Sequence, residues 1–306
     1  MSSRGGPALL PGLLAAALGL ASCAGFKDAV TGGAGDAHLV SFPEPVSLER
    51  VERFGPTDLQ TRDLAVPGSV AGRFSEVFVI DQARRVLLRI DRFSLEPART
   101  VASDLGPQSQ VWVEPRRGDV LLAEPDRRRV RRLTVDGQLV AEYRVGLVRP
   151  LEAALAGFPE SVWVADDGSG RIAGFASSGA PIRRLGEIGG LAFPEAGFFA
   201  LATGGELLVV LGRAGSLWRL DPDSERVYQL APGTPPGVRR LAVDDCGRLF
   251  TGTEAGQLYA LDKEGWRRLD LDLTRLADIY AAGGELFVAD SAEGRVDVYR
   301  IVPRCP

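Results

Sequence analysis

The stretch Val162–Phe175, with the sequence VWVADDGSGRIAGF, decides the fold of this chain. A short apolar run leads to an acid at Asp166, and a turn rich in Gly and Ser follows it. A second apolar run starts after Arg171. Short apolar runs on either side of such a turn are typical of a β-hairpin. The stretch therefore predicts two antiparallel strands joined by a tight turn.

Variants of the first strand recur along the chain at a nearly constant spacing. They are short apolar runs, four of which end in an acid: Val77–Asp81, Val120–Glu124, Val162–Asp166, Leu207–Leu211, Leu249–Thr253 and Leu286–Asp290. The runs end at residues 81, 124, 166, 211, 253 and 290, so the period lies between 37 and 45 residues. A period near 42 in an all-β pattern indicates a β-propeller with one four-stranded blade per repeat.

The other strands of each blade surround this run. An inner strand precedes it, as in Val238–Val243, and an apolar third strand follows it, as in Leu258–Asp262. A more polar fourth strand completes most repeats, but the sixth repeat lacks one. Pro45–Gly55 has the character of the missing strand. We therefore predict an all-β, six-bladed β-propeller over residues 45–306, whose N-terminal strand closes the last blade and leaves no open sheet edge.

Two copies of the repeat carry a recognisable pattern. Val162–Ile172 and Leu286–Val296 both read as two apolar residues, then Val, Ala and Asp, and later Arg with an apolar residue. On these residues the chain resembles the six-bladed propellers of the NHL-repeat type and the related SMP-30-like superfamily, over roughly residues 45–302. The resemblance implies the architecture and no single activity, because this fold carries unrelated functions.

The acid of the repeat occurs together with an arginine before the third strand. The pairs are Asp81 with Arg85, Glu124 with Arg129, Asp166 with Arg171 and Asp290 with Arg295. Repeats that end in Leu211 and Thr253 lack the acid and the arginine alike. We infer a structural charge-assisted hydrogen bond within each pair. A calcium loop at Asp166–Gly170 is the weaker interpretation, because the Glu expected at the twelfth loop position is absent.

The N-terminus predicts a cellular address. Arg4 precedes the apolar stretch Ala8–Leu20, which is short for a membrane span. Leu20–Cys23 (LASC) resembles the lipobox of bacterial lipoproteins, and this implies that residues 1–22 are a signal peptide and that Cys23 carries the lipid. An ordinary secretory signal cleaved near Ala21 or Ala24 is the alternative. Residues 23–44 read as a flexible tether. Ala24 favours the outer membrane, facing the periplasm.

Few catalytic constellations can be built from this composition. The single histidine, His38, lies in the predicted tether, and the chain has no asparagine. A His-ligated metal site, a Ser-His-Asp triad and a Cys-His pair therefore cannot form in the propeller. Among relatives of the fold, this weighs against the amidating lyases and the sugar lactonases. A site made only of acids in the tunnel, for instance Glu152 or Asp278 on inner strands, stays open.

Two further features are candidates for stability or binding. Cys246 and Cys305 lie at points that open on the same face of neighbouring blades, so an oxidising compartment permits a disulfide between them. The arginines of blade two, Arg127, Arg128, Arg131 and Arg132, form either a patch for an anionic partner or a solvated turn with outward strand positions. The net charge of −4 and the dispersed basic residues exclude a nucleic-acid-binding domain.

The sequence as a whole favours a non-catalytic binding or assembly module on a lipid anchor in the bacterial cell envelope. Its expected partners are the membrane, through the lipid on Cys23, and an envelope protein, peptide or glycan. No cofactor, metal or catalytic residue is expected. A metal-dependent hydrolase or lactonase of the same fold is the alternative.

Overall fold

The computed structural model describes residues 45–156, 160–185, 198–204, 207–221, 226–230 and 233–304. The predictions for residues 1–44, including Cys23, and for Cys305 lie outside this part of the chain. The described regular structure consists of β-strands, apart from one short 3-10 turn at Pro125–Arg127. The strands form six four-stranded antiparallel sheets. The predicted six-bladed β-propeller is confirmed.

Five blades are made from strands that are consecutive in sequence. Their bounds are β2 (Pro67–Arg73), β3 (Glu76–Asp81), β4 (Val86–Asp91) and β5 (Arg99–Ala102) in blade one; β6 (Gln110–Val113), β7 (Val120–Glu124), β8 (Arg129–Leu133) and β9 (Leu139–Tyr143) in blade two; β10 (Pro150–Ala156), β11 (Ser161–Asp166), β12 (Arg171–Ala176) and β13 (Pro181–Leu185) in blade three; β14 (Phe198–Gly204), β15 (Leu207–Gly212), β16 (Leu217–Asp221) and β17 (Arg226–Leu230) in blade four; and β18 (Val238–Val243), β19 (Leu249–Thr253), β20 (Leu258–Asp262) and β21 (Gly265–Leu269) in blade five.

Blade six is closed by the N-terminal strand, as predicted. It combines β22 (Leu276–Ala282), β23 (Glu285–Asp290) and β24 (Arg295–Val302) with β1 (Ser47–Phe54), in the order β1-β24-β23-β22. The pairing runs from Ser47 opposite Val302 to Phe54 opposite Val296. Closure pairs the outer edge of β24 with a strand from the other end of the domain. A ring closed in this way ties the two ends of the propeller together.

The core lies between the blades, where each sheet packs on the next. The second strands are buried along their whole length in blades one, two and three, because their continuous runs of Val, Leu, Ile and Phe are covered on both faces. Trp163 and Phe78 are among the largest fully buried side chains. Blades one and six approach so closely that a Cβ added to Gly72 would fall on the ring of Phe287. Glycine is therefore required at that position.

Candidate functional site

The six inner strands surround a central tunnel. Each of β2, β6, β10, β14, β18 and β22 contacts its neighbour, and β22 contacts β2. The tunnel holds a cavity of about 450 Å³, including space open to solvent, and every inner strand contributes to its lining. Glu152 and Asp278, the tunnel-facing acids predicted from the sequence, both line it. The tunnel is a concave site that every blade helps to line, so it is the candidate functional site.

Equivalent positions of the six inner strands form a ring around this tunnel. Each position pairs with the next-to-last residue of the second strand of its blade, and the members are Ser69, Gln110, Glu152, Ala200, Arg240 and Asp278. We call these six residues the tunnel ring. In every blade except blade two, the register of pairing between the first and second strands shifts by one residue immediately before the ring position. Such a β-bulge re-aims the side chain that follows it.

Members of the tunnel ring hydrogen-bond to the next blade. Asp278 of blade six accepts bonds from the backbone N–H of Val70 (3.0 Å) and the hydroxyl of Ser69 (2.7 Å) in blade one. Ser69 Oγ in turn accepts a bond from the backbone N–H of Val111 in blade two, at 3.1 Å. Three consecutive blades are thus linked through two buried side chains.

The same kind of link occurs on the other side of the tunnel. Glu152 of blade three accepts a hydrogen bond from the backbone N–H of Leu201 in blade four. Arg240 of blade five donates to the carbonyl oxygen of Ala277 in blade six. Four of the six joints between blades therefore carry a bond from a tunnel-ring side chain to the neighbouring backbone. These polar residues fasten the inner strands to one another.

Burial alters the acid chemistry of the ring. It raises the pKa of Glu152 to about 8, because the carboxyl group has little water around it and because the charge of Asp278 repels the ionised form. Burial also raises the pKa of Asp278, against the attraction of Arg240, whose Nε lies 4.0 Å from Asp278 Oδ1. Near neutral pH, Glu152 can therefore carry a proton and donate a hydrogen bond. A carboxyl group that keeps its proton is a poor metal ligand.

The described residues include no group of three or more His, Cys, Asp or Glu side chains placed to hold a metal ion. The tunnel does contain one polar group without a partner in the described structure, the buried indole N–H of Trp112. What the ring offers chemically is a protonatable carboxyl group, that of Glu152, in a channel lined by both polar and apolar groups. This arrangement can hold a small polar group, and it lacks a nucleophile with an adjacent base.

The three aspartates among the repeated acids accept hydrogen bonds mainly from backbone N–H groups. Asp290 accepts hydrogen bonds from the N–H groups of Thr274 (2.9 Å) and Arg275 (3.1 Å), which lead into the inner strand of the same blade. Asp81 makes the equivalent bonds to the N–H groups of Ala65 (3.0 Å) and Val66 (3.3 Å). Asp166 does the same for the two residues before Pro150. Each of these buried acids fixes the entry of the first strand of its blade.

The structure brings two of the four sequence-predicted pairs together. Arg129 Nε lies 2.7 Å from Glu124 Oε2, and Arg295 Nη2 lies 3.5 Å from Asp290 Oδ2. Glu124 also binds Arg131 and Arg127, because its longer side chain reaches out toward the third strand. Arg171 follows Asp166 across the turn and opens β12 opposite it. The role of these pairs stays a prediction.

Arg85, predicted to pair with Asp81, has other partners in the structure. Arg85 donates instead to the carbonyl oxygen of Leu105 (2.7 Å) and lies 3.4 Å from Asp104. The backbone of Arg85 has φ = 59°, in the left-handed region. The N–H groups of the turn satisfy Asp81 in place of the guanidinium.

The arginines of blade two are divided between buried and exposed positions. Arg132 is buried and pairs with Asp119 and Glu160, while Arg131 pairs with Glu124. Arg127 is exposed and lies 2.9 Å from Asp104, and the neighbouring Arg128 is also exposed. A patch for an anionic partner at Arg127 and Arg128 stays a prediction. Arg131 and Arg132 would add little positive charge to such a patch, because both are paired with acids.

The turn before β19 contains a buried ion pair that the sequence analysis missed. Arg248 Nε lies 2.5 Å from Asp244 Oδ2, and Arg248 also donates to the carbonyl oxygen of Pro303, at 2.6 Å. Burial raises the pKa of Asp244, against the attraction of Arg248. Cys246, in the same turn, forms a disulfide bond. Its predicted partner, Cys305, lies outside the described residues, so that pairing stays a prediction.

Within the described ranges, no helix is both long and apolar enough to span a bilayer.

The comparisons with known proteins show the fold. No protein-family model and no curated protein matches the chain. The WD40 β-propeller domain of Doa1 is 13% identical over 83% of this chain and 97% of that one, with a TM-score of 0.58. A catalytically inactive histidine-to-alanine variant of virginiamycin B lyase from Staphylococcus aureus, with quinupristin, is 13% identical over 84% and 99%, also at 0.58. A Bacteroides thetaiotaomicron protein of unknown function gives 0.63, at 13% identity over 84% and 76%.

Proposed function

We propose that this chain is a lipid-anchored β-propeller of the bacterial cell envelope that binds a protein, peptide or glycan partner without catalysing a reaction. The observation that carries this proposal is the use of the tunnel ring. Asp278, Glu152 and Arg240 are bonded to the backbone of the next blade. Side chains with that task hold a scaffold rigid, and binding then falls to the loops at the two ends of the tunnel.

The address in this proposal rests on the sequence Leu20–Cys23, which has the character of a lipobox. A lipid on Cys23 would hold the protein at the outer membrane, facing the periplasm. Replacing Cys23 with Ser should abolish metabolic labelling with palmitate and release the protein from the membrane fraction. Continued labelling of the Cys23→Ser chain would refute the anchor.

Partner binding is tested by affinity purification of the tagged chain from detergent-solubilised membranes. Recovery of one partner in stoichiometric amount supports a binding or assembly module. Its chemical class, whether protein, peptide or glycan, follows from mass spectrometry of the eluate. The Cys23→Ser chain is the matched control, because it carries the same propeller away from the membrane. Recovery of no partner in repeated experiments would favour an enzyme instead.

The alternative is a metal-dependent hydrolase or lactonase, and the observation behind it is that two acids, Glu152 and Asp278, line the tunnel cavity. A metal bound there would have to displace the proton of Glu152. A structural neighbour is a lyase whose histidine-to-alanine variant is inactive. The single histidine of this chain, His38, lies outside the described residues. Elemental analysis of the purified protein tests this alternative. A stoichiometric divalent metal that is lost in the variants Glu152→Gln and Asp278→Asn would support the hydrolase and overturn the binding module.

A further inference from the structure

Two turns at one end of blade one expose large apolar side chains. Phe74 lies in the turn between β2 and β3 and is 76% exposed, while Phe93 and Leu95 follow β4 and are 67% and 86% exposed. The rings of Phe74 and Phe93 lie 5.3 Å apart, in contact across the two turns. Single exposed apolar residues are ordinary, but a group of large ones marks an interaction surface. We call Phe74, Phe93 and Leu95 the apolar tip.

The apolar tip is held in place from below by Arg92. This arginine donates to the carbonyl oxygen of Phe74 (2.9 Å) and pairs with Glu52 (2.7 Å) and Glu285 (2.6 Å), and its side chain is only 5% exposed. Asp91 Oδ1 accepts a hydrogen bond from the N–H of Phe93, at 3.0 Å. The tip is therefore ordered before it meets a partner, which lowers the entropic cost of binding.

The chain enters the propeller at the end that carries the apolar tip. Ser47, the first residue of β1, pairs with Val302 of β24. The same end of β24 pairs through Arg300 with Glu285. Glu285 is in turn a partner of Arg92, which holds the tip. The segment that precedes the propeller therefore joins it on the face where the tip is exposed.

Several charged side chains near the apolar tip form ion pairs with one another. Glu76 pairs with Arg73 and Arg89. Arg99 pairs with Glu96 at 2.6 Å. A surface with paired charges around exposed aromatic rings has no strong electrostatic preference for a charged partner. Such a surface suits an environment in which an apolar region is bordered by polar groups.

We propose that the apolar tip inserts into the interfacial region of the bilayer and sets the orientation of the propeller on the membrane. This inference rests on the proposed function, because the lipid on Cys23 would bring the bilayer within reach. The tether predicted from the sequence has 21 residues, Ala24–Glu44, and a random coil of that length would reach on the order of 25 Å. Attraction to the interface grows with the apolar area that is buried there. One lipid attachment and one apolar contact together fix which face of the propeller points outward.

The first test uses the full lipidated chain reconstituted into vesicles of phosphatidylcholine with brominated acyl chains. Phe93→Trp places a fluorophore in the tip, and Val145→Trp is the matched control. Val145 is 56% exposed and follows β9, at the opposite end of the blades from the tip. We expect bromine to quench the fluorescence of the tryptophan added at position 93. The tryptophan added at position 145 should be quenched no more than the four native tryptophans of the unsubstituted chain. Equal quenching at both positions would overturn the proposal.

The second test separates the tip from the anchor. The Cys23→Ser chain, with and without Phe74→Ser, Phe93→Ser and Leu95→Ser, is sedimented with phosphatidylcholine vesicles. We expect the three substitutions to weaken vesicle binding about tenfold or more, and high salt to change binding little because the nearby charges are paired.

The outcomes of these tests are distinguishable from failure of the anchor. Absence of lipid on Cys23 in the unmodified chain would remove the proposed address, whereas vesicle binding by the Cys23→Ser chain tests the tip alone. Equal binding with and without the three substitutions would overturn the membrane contact. Self-association in detergent that the same substitutions abolish would also overturn it, and would assign the tip to a second copy of the chain.

Discussion

A double-mutant cycle on Asp290 and Arg295 tests which contacts of the repeated acid hold a blade together. Asp290 is fully buried and accepts hydrogen bonds from four backbone N–H groups. Those of Thr274 (2.9 Å) and Arg275 (3.1 Å) precede the inner strand, and those of Ala292 (3.2 Å) and Glu293 (3.4 Å) lie in the turn that follows the acid. Arg295 Nη2 lies 3.5 Å from the same carboxylate, which is long for a hydrogen bond. We therefore expect the backbone bonds to contribute most of the stabilisation.

The magnitude follows from the number of bonds that are lost. A hydrogen bond to a charged group contributes about 1.5–3 kcal/mol, so the loss of the two shortest bonds alone should make Asp290→Ala lower the free energy of unfolding by about 3–6 kcal/mol. The coupling energy between Asp290→Ala and Arg295→Ala should be about 1 kcal/mol or less. Urea unfolding of the four proteins of the cycle, followed by tryptophan fluorescence and extrapolated to water, measures both quantities.

The matched control is the equivalent cycle in blade one. Asp81 makes the same kind of backbone bonds, but Arg85 contacts Leu105 and Asp104 instead of the acid. We expect Asp81→Ala to cost as much as Asp290→Ala, with a coupling to Arg85→Ala within about 0.5 kcal/mol of zero. If the coupling in blade six accounted for most of the loss caused by Asp290→Ala, the ion pair would be the fastening and this reasoning would fail.

Three further predictions concern other parts of the ring. Folding raises the pKa of Glu152 from 4.5 to about 8. Between these two pH values the folded protein keeps a proton on Glu152 that the unfolded chain releases, so the free energy of unfolding should fall as the pH rises from about 4.5 to about 8. The slope approaches about 1.4 kcal/mol per pH unit, and Glu152→Gln should flatten it in urea unfolding at several pH values. Gly72→Ala should cost about 1–3 kcal/mol, seen as a lower Tm, because the new methyl group meets Phe287. Cys246→Ser should cost about 2–4 kcal/mol, and non-reducing peptide mapping should find Cys246 linked to Cys305; two free thiols would contradict the pairing.

The repeat made most of the fold predictable. Apolar runs with a nearly constant period predicted six blades, and the inner strand Val238–Val243 and the third strand Leu258–Asp262 have the predicted bounds. The fourth strand of blade one, Arg99–Ala102, escaped prediction because it is short and exposed on its outer side. A strand that buries few side chains leaves little hydrophobic pattern in the sequence.

The tunnel ring was only partly predictable. Glu152 and Asp278 were visible as acids on inner strands, but Ser69 and Arg240 were not recognised as members of the same ring. Their equivalence depends on β-bulges, which shift the register by one residue and leave no clear mark in a single sequence. The backbone partners were equally hidden, because every residue except proline carries an N–H group.

The joint occurrence of acid and arginine has a physical explanation other than a pair. The acid accepts from N–H groups in the segment that leads into an inner strand, as Asp290 does with Thr274. The arginine donates to carbonyl groups in segments of the same kind, as Arg85 does with Leu105 and Arg295 with Asp272. An irregular segment near the core needs partners for both its donors and its acceptors. A blade that satisfies these groups differently can therefore lose both residues together, without either being the partner of the other.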